Sequence, residues 1–196
     1  IVPISSTLDT PGPMTKNVRD NAILLSAMLG KDKTDSKSVD AEPGILSAPL
    51  HPTPINEMRL GAFNTLMESD SIYKATIEKL RELGAEIVEF TPPEVKMDGF
   101  LSILNIDMRN DLPVYLESNS IADAIAFNNI DSLKRIPYGQ ALFEGIIADS
   151  TTAEGLEEIK ATLEKNGRLF FDTAMNKHDL NAILSINNYH AGYAAV

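Results

Sequence analysis

Three histidines and one pair of adjacent serines are the residues of this sequence that most directly suggest catalysis. His51 lies in a polar segment, where we expect a surface residue, and His178 ends a predicted helix, where the helix dipole favours an imidazolium. His190 follows a predicted buried strand, at the end where α/β proteins build their sites, so a functional and a structural role both stay open for it. The Ser5–Ser6 pair has no base near it in the sequence. None of these residues defines an active site by itself.

The acidic residues offer a second kind of chemistry. Asp107 and Asp111 lie four residues apart on one face of a predicted helix, a spacing at which two carboxylates can share a proton or a metal ion. We favour the simpler interpretation, a solvated helix face, and we assign Glu154, Glu157 and Glu158 to the first turn of a later helix. The sequence has no cysteine, no H-E-x-x-H spacing, no G-x-S-x-G elbow and no phosphate-binding glycine loop. It therefore predicts neither a metal site nor a cofactor.

The clearest structural unit is a strand, a helix and a second strand. Residues 59–63 and 86–90 have the β-rich composition of short strands, and the helical spacing between them runs from Ile72 to Leu83 and ends at Gly84. Short connections of this kind join parallel strands through a right-handed crossover. The predicted fold class is therefore α/β.

The remaining elements divide the chain into four segments. Residues 1–54 hold a helix that we expect to begin at an N-cap, Thr15, and then a long polar loop. Residues 55–93 form the strand–helix–strand unit, and residues 94–178 form a helical lobe in which Pro113 ends or kinks the first helix. Residues 179–196 contain a core strand over 182–186 and the start of a helix.

Composition limits the classes of partner. The 196 residues are 43% hydrophobic and 23% charged, as in ordinary globular proteins, which excludes a disordered chain. A net charge of −11 disfavours nucleic acid, and no apolar run approaches the roughly 20 residues of a membrane-spanning helix, so we expect neither nucleic acid nor membrane as a partner. The compartment stays open, with a cytoplasmic location preferred over secretion. Both ends are apolar, and we expect them to be cuts through folded structure.

The first 22 residues carry a family resemblance. The sequence I-V-P-I-S-S-T-L-D-T-P-G-P-M-T-K-N-V-R-D-N-A resembles the segment that follows the signature sequence of the amidase signature family, V-P-x-S-x-x-x-D-T-x-G-P-M-T-R-x-V-x-D-A-A. Lys16 replaces the more usual arginine. The segments M-R-L-G-A-F, L-G-A-E-I-V-E-F-T-P-P and D-L-N-A-I-L-S-I-N-N-Y-H-A-G-Y are similar to later parts of the family, and A-D-A-I-A-F-N-N resembles the helical portion of bacterial amidases. The shared positions are Pro3, Ser5, Asp9, Thr10, Gly12, Pro13, Met14, Thr15, Val18 and Asp20.

The resemblance implies an activity and places its chemistry outside this chain. Family members hydrolyse amide bonds with a serine nucleophile, a second serine in a cis peptide and a neutral lysine, and these residues precede the segment that begins at Ile1. It implies a partial amidase-signature fold, a few mostly parallel strands with a helical lobe. No catalytic residue, metal ligand or cofactor is then expected in this chain, which alone should be inactive. Its partners would be a small-molecule amide and the rest of its own chain, in an oligomeric state that stays open.

The resemblance also implies supporting roles for particular residues. The D-T-P-G-P-M segment would brace the nucleophile loop, and the residues at the end of the last strand would line the substrate pocket. The bracing residues are Asp9, Thr10, Gly12, Pro13 and Met14, and the lining residues are Asn187, Asn188 and Tyr189.

Two alternatives stay open at this stage. The chain could be a noncatalytic ligand-binding module, or it could belong to an amidase-like pseudoenzyme that serves as an assembly subunit. An upstream lysine and a serine-glycine-rich loop in the parent protein would distinguish an active amidase from both.

Overall fold

The computed structural model describes residues 2–34, 38–40 and 53–195. These residues fall into two compact units: Ile1–Leu8 together with Pro54–Val196, and Asp9–Thr53. His51 lies outside the described residues.

The smaller unit contains one described helix, α1 (Val18–Met28). Its N-cap is Asn17, whose side-chain oxygen accepts the Asp20 backbone N–H at 2.8 Å. The prediction of Thr15 as the cap is wrong, because the Thr15 hydroxyl donates to the Asn17 carbonyl at 2.8 Å and stands before the helix.

The larger unit is built on a parallel sheet, as predicted. The described strands are β1 (Arg59–Phe63), β2 (Glu86–Phe90) and β3 (Ala182–Leu184), in the order β2-β1-β3. All the pairings are parallel, with Leu60 of β1 opposite Ile87 on one side and Ala182 on the other. Strand β3 ends two residues earlier than expected, because the chain turns after Leu184 into a loop.

Two helices connect β1 to β2. The short α2 (Asn64–Ser69) follows β1 directly and lacks the periodicity that would have revealed it. The crossover helix α3 (Ser71–Glu82) begins at Asp70, whose carboxylate accepts the Tyr73 backbone N–H at 2.7 Å. Buried Tyr73 and Ile77 lie one turn apart on α3 and face the sheet.

A helical lobe follows β2, also as predicted. Its first helix, α4 (Phe100–Tyr115), continues for two residues past Pro113, so the helix does not end at Pro113, which was one of the two predicted effects of this proline. Pro113 lies in the last turn of α4, and the neighbouring Leu112 is buried in the lobe and accepts the Leu116 N–H at 2.9 Å. The other lobe helices are α5 (Ile121–Asn129), α6 (Ser132–Arg135), α7 (Ala141–Ala148) and α8 (Ala153–His178).

Side-chain caps begin two of the lobe helices. Ser120 and Asp123 form a capping box at the start of α5. Thr152 caps α8 by accepting the Gly155 N–H at 3.1 Å. No described helix is both long enough and apolar enough to cross a membrane.

The 26-residue helix α8 links the lobe to the sheet. Its first half contributes Leu156 and Leu163 to a core shared with α4. Its second half contributes Phe170 and Ala174 to the core that covers the sheet. A short helix, α9 (Ala191–Ala194), then packs on α8.

Candidate functional site

The carboxyl ends of β1 and β3 lie side by side, at the end of a parallel sheet where α/β proteins bind their ligands. The last ladder pair is Ala62 with Leu184. Beyond it, the Tyr73 hydroxyl accepts the Phe63 N–H at 3.1 Å and donates to the Leu184 carbonyl at 2.8 Å. One side chain of α3 therefore bridges the two strands where their own ladder stops. Burial raises the pKa of Tyr73, so the hydroxyl stays protonated and can donate a hydrogen bond.

The loop after β3 is fastened by a serine–histidine contact. The Ser185 Oγ lies 2.6 Å from the His190 Nδ1. The His190 ring packs against Phe63, with ring centroids 4.1 Å apart, and against Phe170 at 5.5 Å. Burial lowers the pKa of His190, which favours the neutral imidazole.

This contact has part of the geometry of a nucleophile and its base. A working Ser–His pair also needs a third group that orients the base, usually a carboxylate. Among the described residues, no hydrogen bond joins His190 to a carboxylate, and the ring is surrounded by aromatic side chains. The Ser185–His190 contact therefore shapes the loop, which agrees with the structural alternative left open for His190.

The structure brings Asn187, Asn188 and Tyr189 together on this loop. Asn187 has a left-handed backbone, with φ of 43°, and lines a cavity of about 360 Å³ with Asp70 and Tyr73. The Tyr189 side chain is 68% exposed and meets the His190 ring edge-on at 4.9 Å. The Asn188 carbonyl accepts the Ala191 N–H at 3.0 Å, which closes the loop into α9.

The five predicted bracing residues all lie in the smaller unit, in a segment without helix or strand. Pro13 is half-buried, and its carbonyl accepts the Asn21 side-chain amide at 2.9 Å. Met14 is 96% exposed. Asp9, Thr10 and Gly12 are exposed as well.

The acidic pair on α4 occupies a different environment from the one predicted. Asp107 is 5% exposed and its carboxylate accepts the Ser5 hydroxyl at 2.6 Å, and half-buried Asp111 accepts the Ser6 N–H at 2.8 Å. The interpretation of this pair as a solvated helix face is therefore wrong. The sequence did contain a signal, since Asp107 is four residues after Ile103 and so lies on the same buried face of the helix.

Metal chemistry finds no support among the described residues, where no group of three or more His, Asp or Glu side chains is arranged to hold an ion. The candidate regions are thus the loop after β3 and the contact between residues 5–8 and α4.

The parallel sheet, its crossover helix and the helical lobe define the class of the protein as α/β. The family model described as Amidase matches residues 1–134. The chain therefore belongs to the amidase family, the amidase signature family that the first 22 residues resemble.

Solved structures have the same fold. An amidase family protein from Bacillus anthracis str. Ames superposes with a TM-score of 0.85 at 28% identity, over 100% of this chain and 41% of that protein. A peptide amidase in complex with the competitive inhibitor chymostatin superposes with a TM-score of 0.77 at 26% identity, over 93% of this chain and 41% of that protein.

Sequence relatives include longer proteins that are named as glutamyl-tRNA(Gln) amidotransferase subunits. The one from Nitrosomonas europaea is 30% identical over 171 residues, which are 82% of this chain and 32% of that protein. The one from Orientia tsutsugamushi is 37% identical over 103 residues, 48% of this chain and 20% of that protein. This chain thus spans a third or less of the length of these two relatives.

Proposed function

We propose that this chain is part of an enzyme that hydrolyses a carboxylic amide C–N bond through a serine nucleophile. The observation that carries the proposal is the family match over residues 1–134, supported by superposition of the whole chain on 41% of an amidase family structure. The nucleophile, the second serine and the lysine base lie upstream of Ile1 in this proposal, and residues 1–196 alone are inactive.

The environment of the described serines and lysines supports that placement. A Ser–Lys mechanism needs a lysine near a serine, with a pKa lowered by its surroundings. The Lys160 amine lies 3.7 Å from the Asp107 carboxylate and 3.5 Å from the Glu157 carboxylate, so the described ion pairs of this amine are with carboxylates and not with a serine. Lys16 is exposed and lies in the smaller unit.

A covalent serine probe tests the proposal on the intact protein. A fluorophosphonate reacts with an activated serine, and digestion followed by mass spectrometry locates the modified peptide. We expect amide hydrolysis by the intact protein, with loss of activity on labelling and the label on a peptide outside residues 1–196. A label on Ser5, Ser185 or any other serine of this chain would contradict the placement, as would amide turnover by residues 1–196 alone.

Residues 9–14 and 187–189 have supporting roles in this proposal. The segment from Asp9 to Met14 braces the nucleophile loop, and Asn187, Asn188 and Tyr189 line the pocket for a small-molecule amide. The exposure of Tyr189 supports this role, because its ring is available to a ligand. The edge-on contact with the His190 ring holds the Tyr189 ring in place. Its location after a parallel strand supports the same role.

The substitution Tyr189→Ala tests the lining role. In the intact enzyme we expect the ratio of kcat/KM for bulky and small amides to change by about fivefold or more, because one ring in a pocket contributes about 1 kcal/mol or more to discrimination. Tyr138→Ala is the matched control, since Tyr138 is 100% exposed in the lobe. An unchanged ratio in a folded Tyr189→Ala enzyme would refute the assignment.

The sequence relatives favour a second candidate, one component of an amidotransferase. The Nitrosomonas europaea and Orientia tsutsugamushi relatives both carry that name, at 30% identity over 82% of this chain in the first case. Such a component would transfer the released nitrogen to an acceptor held with a partner protein. Amide hydrolysis by the purified protein at full rate without any partner favours the hydrolase. Hydrolysis that requires a copurifying partner favours the amidotransferase.

A further inference from the structure

Two aspartates, one turn apart on α4, hold the turn formed by residues 5–8. The Ser5 hydroxyl donates to the Asp107 Oδ2 at 2.6 Å, and the Ser6 backbone N–H donates to the Asp111 Oδ2 at 2.8 Å. These contacts join residues more than 100 positions apart in the sequence. They attach the turn of residues 5–8 to α4, the first helix of the lobe.

The turn is closed by hydrogen bonds to the buried Ser5 side chain. The Ser5 side chain has no exposed surface, and its Oγ accepts the N–H groups of Thr7 at 3.2 Å and Leu8 at 3.1 Å. The Thr7 N–H also points to the Asp107 Oδ2 at 3.3 Å. The Ser5 hydroxyl, the Asp107 carboxylate and the backbone N–H groups of the turn are hydrogen-bonded to one another. Removal of one of these groups therefore takes a partner from the others and lets the turn shift.

A third element joins the network. Lys160 of α8 places its amine 3.7 Å from the Asp107 Oδ1, whereas the serine contact is made to the other carboxylate oxygen. The carboxylate of Asp107 is therefore held between the turn and α8, with its buried charge balanced by a cation. The Ser5 hydroxyl donates its hydrogen bond to that carboxylate, so Ser5 attaches the turn to α4.

We infer that Asp107 and Asp111 are positioning residues for the amide hydrolysis proposed above, because they fix the Ser5–Leu8 turn and thereby the chain that leads into it. The inference rests on the proposed function, in which the nucleophile loop lies upstream of this turn. A turn that moves by about 1 Å displaces that loop relative to the lobe, and displacements of this size can cost a reaction about 100-fold in rate. The helical lobe thus sets the position of the catalytic loop through two carboxylates.

The test compares variants of the intact protein at a temperature where each is folded. Ser5→Ala and Asp107→Ala remove the buried contact, and Asp111→Ala removes the second one. We expect kcat, and the rate of labelling by a fluorophosphonate, to fall about tenfold or more, with KM changed less than about threefold. Ser150→Ala is the matched control, since Ser150 is an exposed serine between α7 and α8, and it should keep the wild-type rates.

A conservative variant separates positioning from general stability. Asp111→Asn keeps an oxygen that can accept the Ser6 N–H, so it should recover most of the rate lost in Asp111→Ala. The comparison of Asp111→Asn with Asp111→Ala also tests the inference if Ser5→Ala or Asp107→Ala does not fold. Folded variants at positions 5, 107 and 111 that keep kcat and labelling within about threefold of wild type would overturn the inference. A wild-type protein that neither hydrolyses an amide nor reacts with the probe overturns the proposed function and the inference together.

Discussion

The hydroxyl of Tyr73, on helix α3, bridges two strands of the sheet, and its removal should destabilise the fold by an amount that the structure defines. It stands between Phe63 at the end of β1 and Leu184 at the end of β3, where it accepts one backbone group and donates to the other. The substitution Tyr73→Phe deletes this single oxygen and leaves the ring in place. Both backbone groups then lose their partner at the edge that carries the candidate site.

The expected loss of stability follows from burial. Phe63 has no exposed surface, so its orphaned N–H carries the full penalty of about 1–3 kcal/mol for a buried unsatisfied donor. Leu184 is half-buried, and water can reach its carbonyl in part, so its share is smaller. We therefore expect Tyr73→Phe to lower the free energy of unfolding by about 2–4 kcal/mol.

Denaturant unfolding of the intact protein measures this change, and hydrogen exchange of the peptide that contains β1 locates it. Tyr138→Phe is the matched control, because it deletes the same oxygen from a fully exposed ring and should change stability by less than about 0.5 kcal/mol. A Tyr73→Phe protein within about 0.5 kcal/mol of wild type, with unchanged exchange at the Phe63 amide, would refute the reasoning.

Three further predictions concern packing and pH. Gly61→Ala should lower stability by about 1–3 kcal/mol in denaturant unfolding, because a Cβ at Gly61 would lie 2.7 Å from the Leu180 side chain; a neutral variant would contradict this tight approach. Leu163→Ala should cost about 2–5 kcal/mol in the same measurement, since Leu163 has no exposed surface; a smaller loss would mean that the site collapses around the missing methyl groups. Burial lowers the pKa of His190 in the folded protein, so stability should be full above its ordinary value of 6.5 and should fall as the pH drops below it. His190→Gln should reduce that fall in a series of melting temperatures between about pH 7.5 and 5, and an identical pH profile would exclude His190 as its source.

Local patterns predicted the elements whose causes are themselves local. The strands β1 and β2 agree with the predicted bounds, because strand propensity and turn signals depend on neighbouring residues. Two of the wrong predictions involve long-range causes. Pro113 stays helical because its turn is held by lobe packing, and Asp107 is buried because a serine 102 positions away covers it.

The candidate site was predictable only where a strand end marks it. Asn187, Asn188 and Tyr189 follow β3 and share one loop, as the strand pattern and the family resemblance indicated. The contact between Ser185 and His190 was not foreseen, because it depends on the fold of the loop between them. The pairing of Ser5 with Asp107 was missed for the same physical reason, since hydrophobic periodicity carries no information about which polar side chains meet.

Helix α8 contacts both candidate regions. Lys160 contacts Asp107 at the turn of residues 5–8, and Phe170 packs against His190 in the loop after β3. Ten residues of helix separate these two contacts, a distance of about 15 Å along the axis. Because Leu163 lies between them with no exposed surface, the helix segment that joins the regions is itself held in the lobe core. A substitution that shifts α8 therefore has to move the turn and the loop together, whereas substitutions at Asp111 or Tyr189 alter one of them alone.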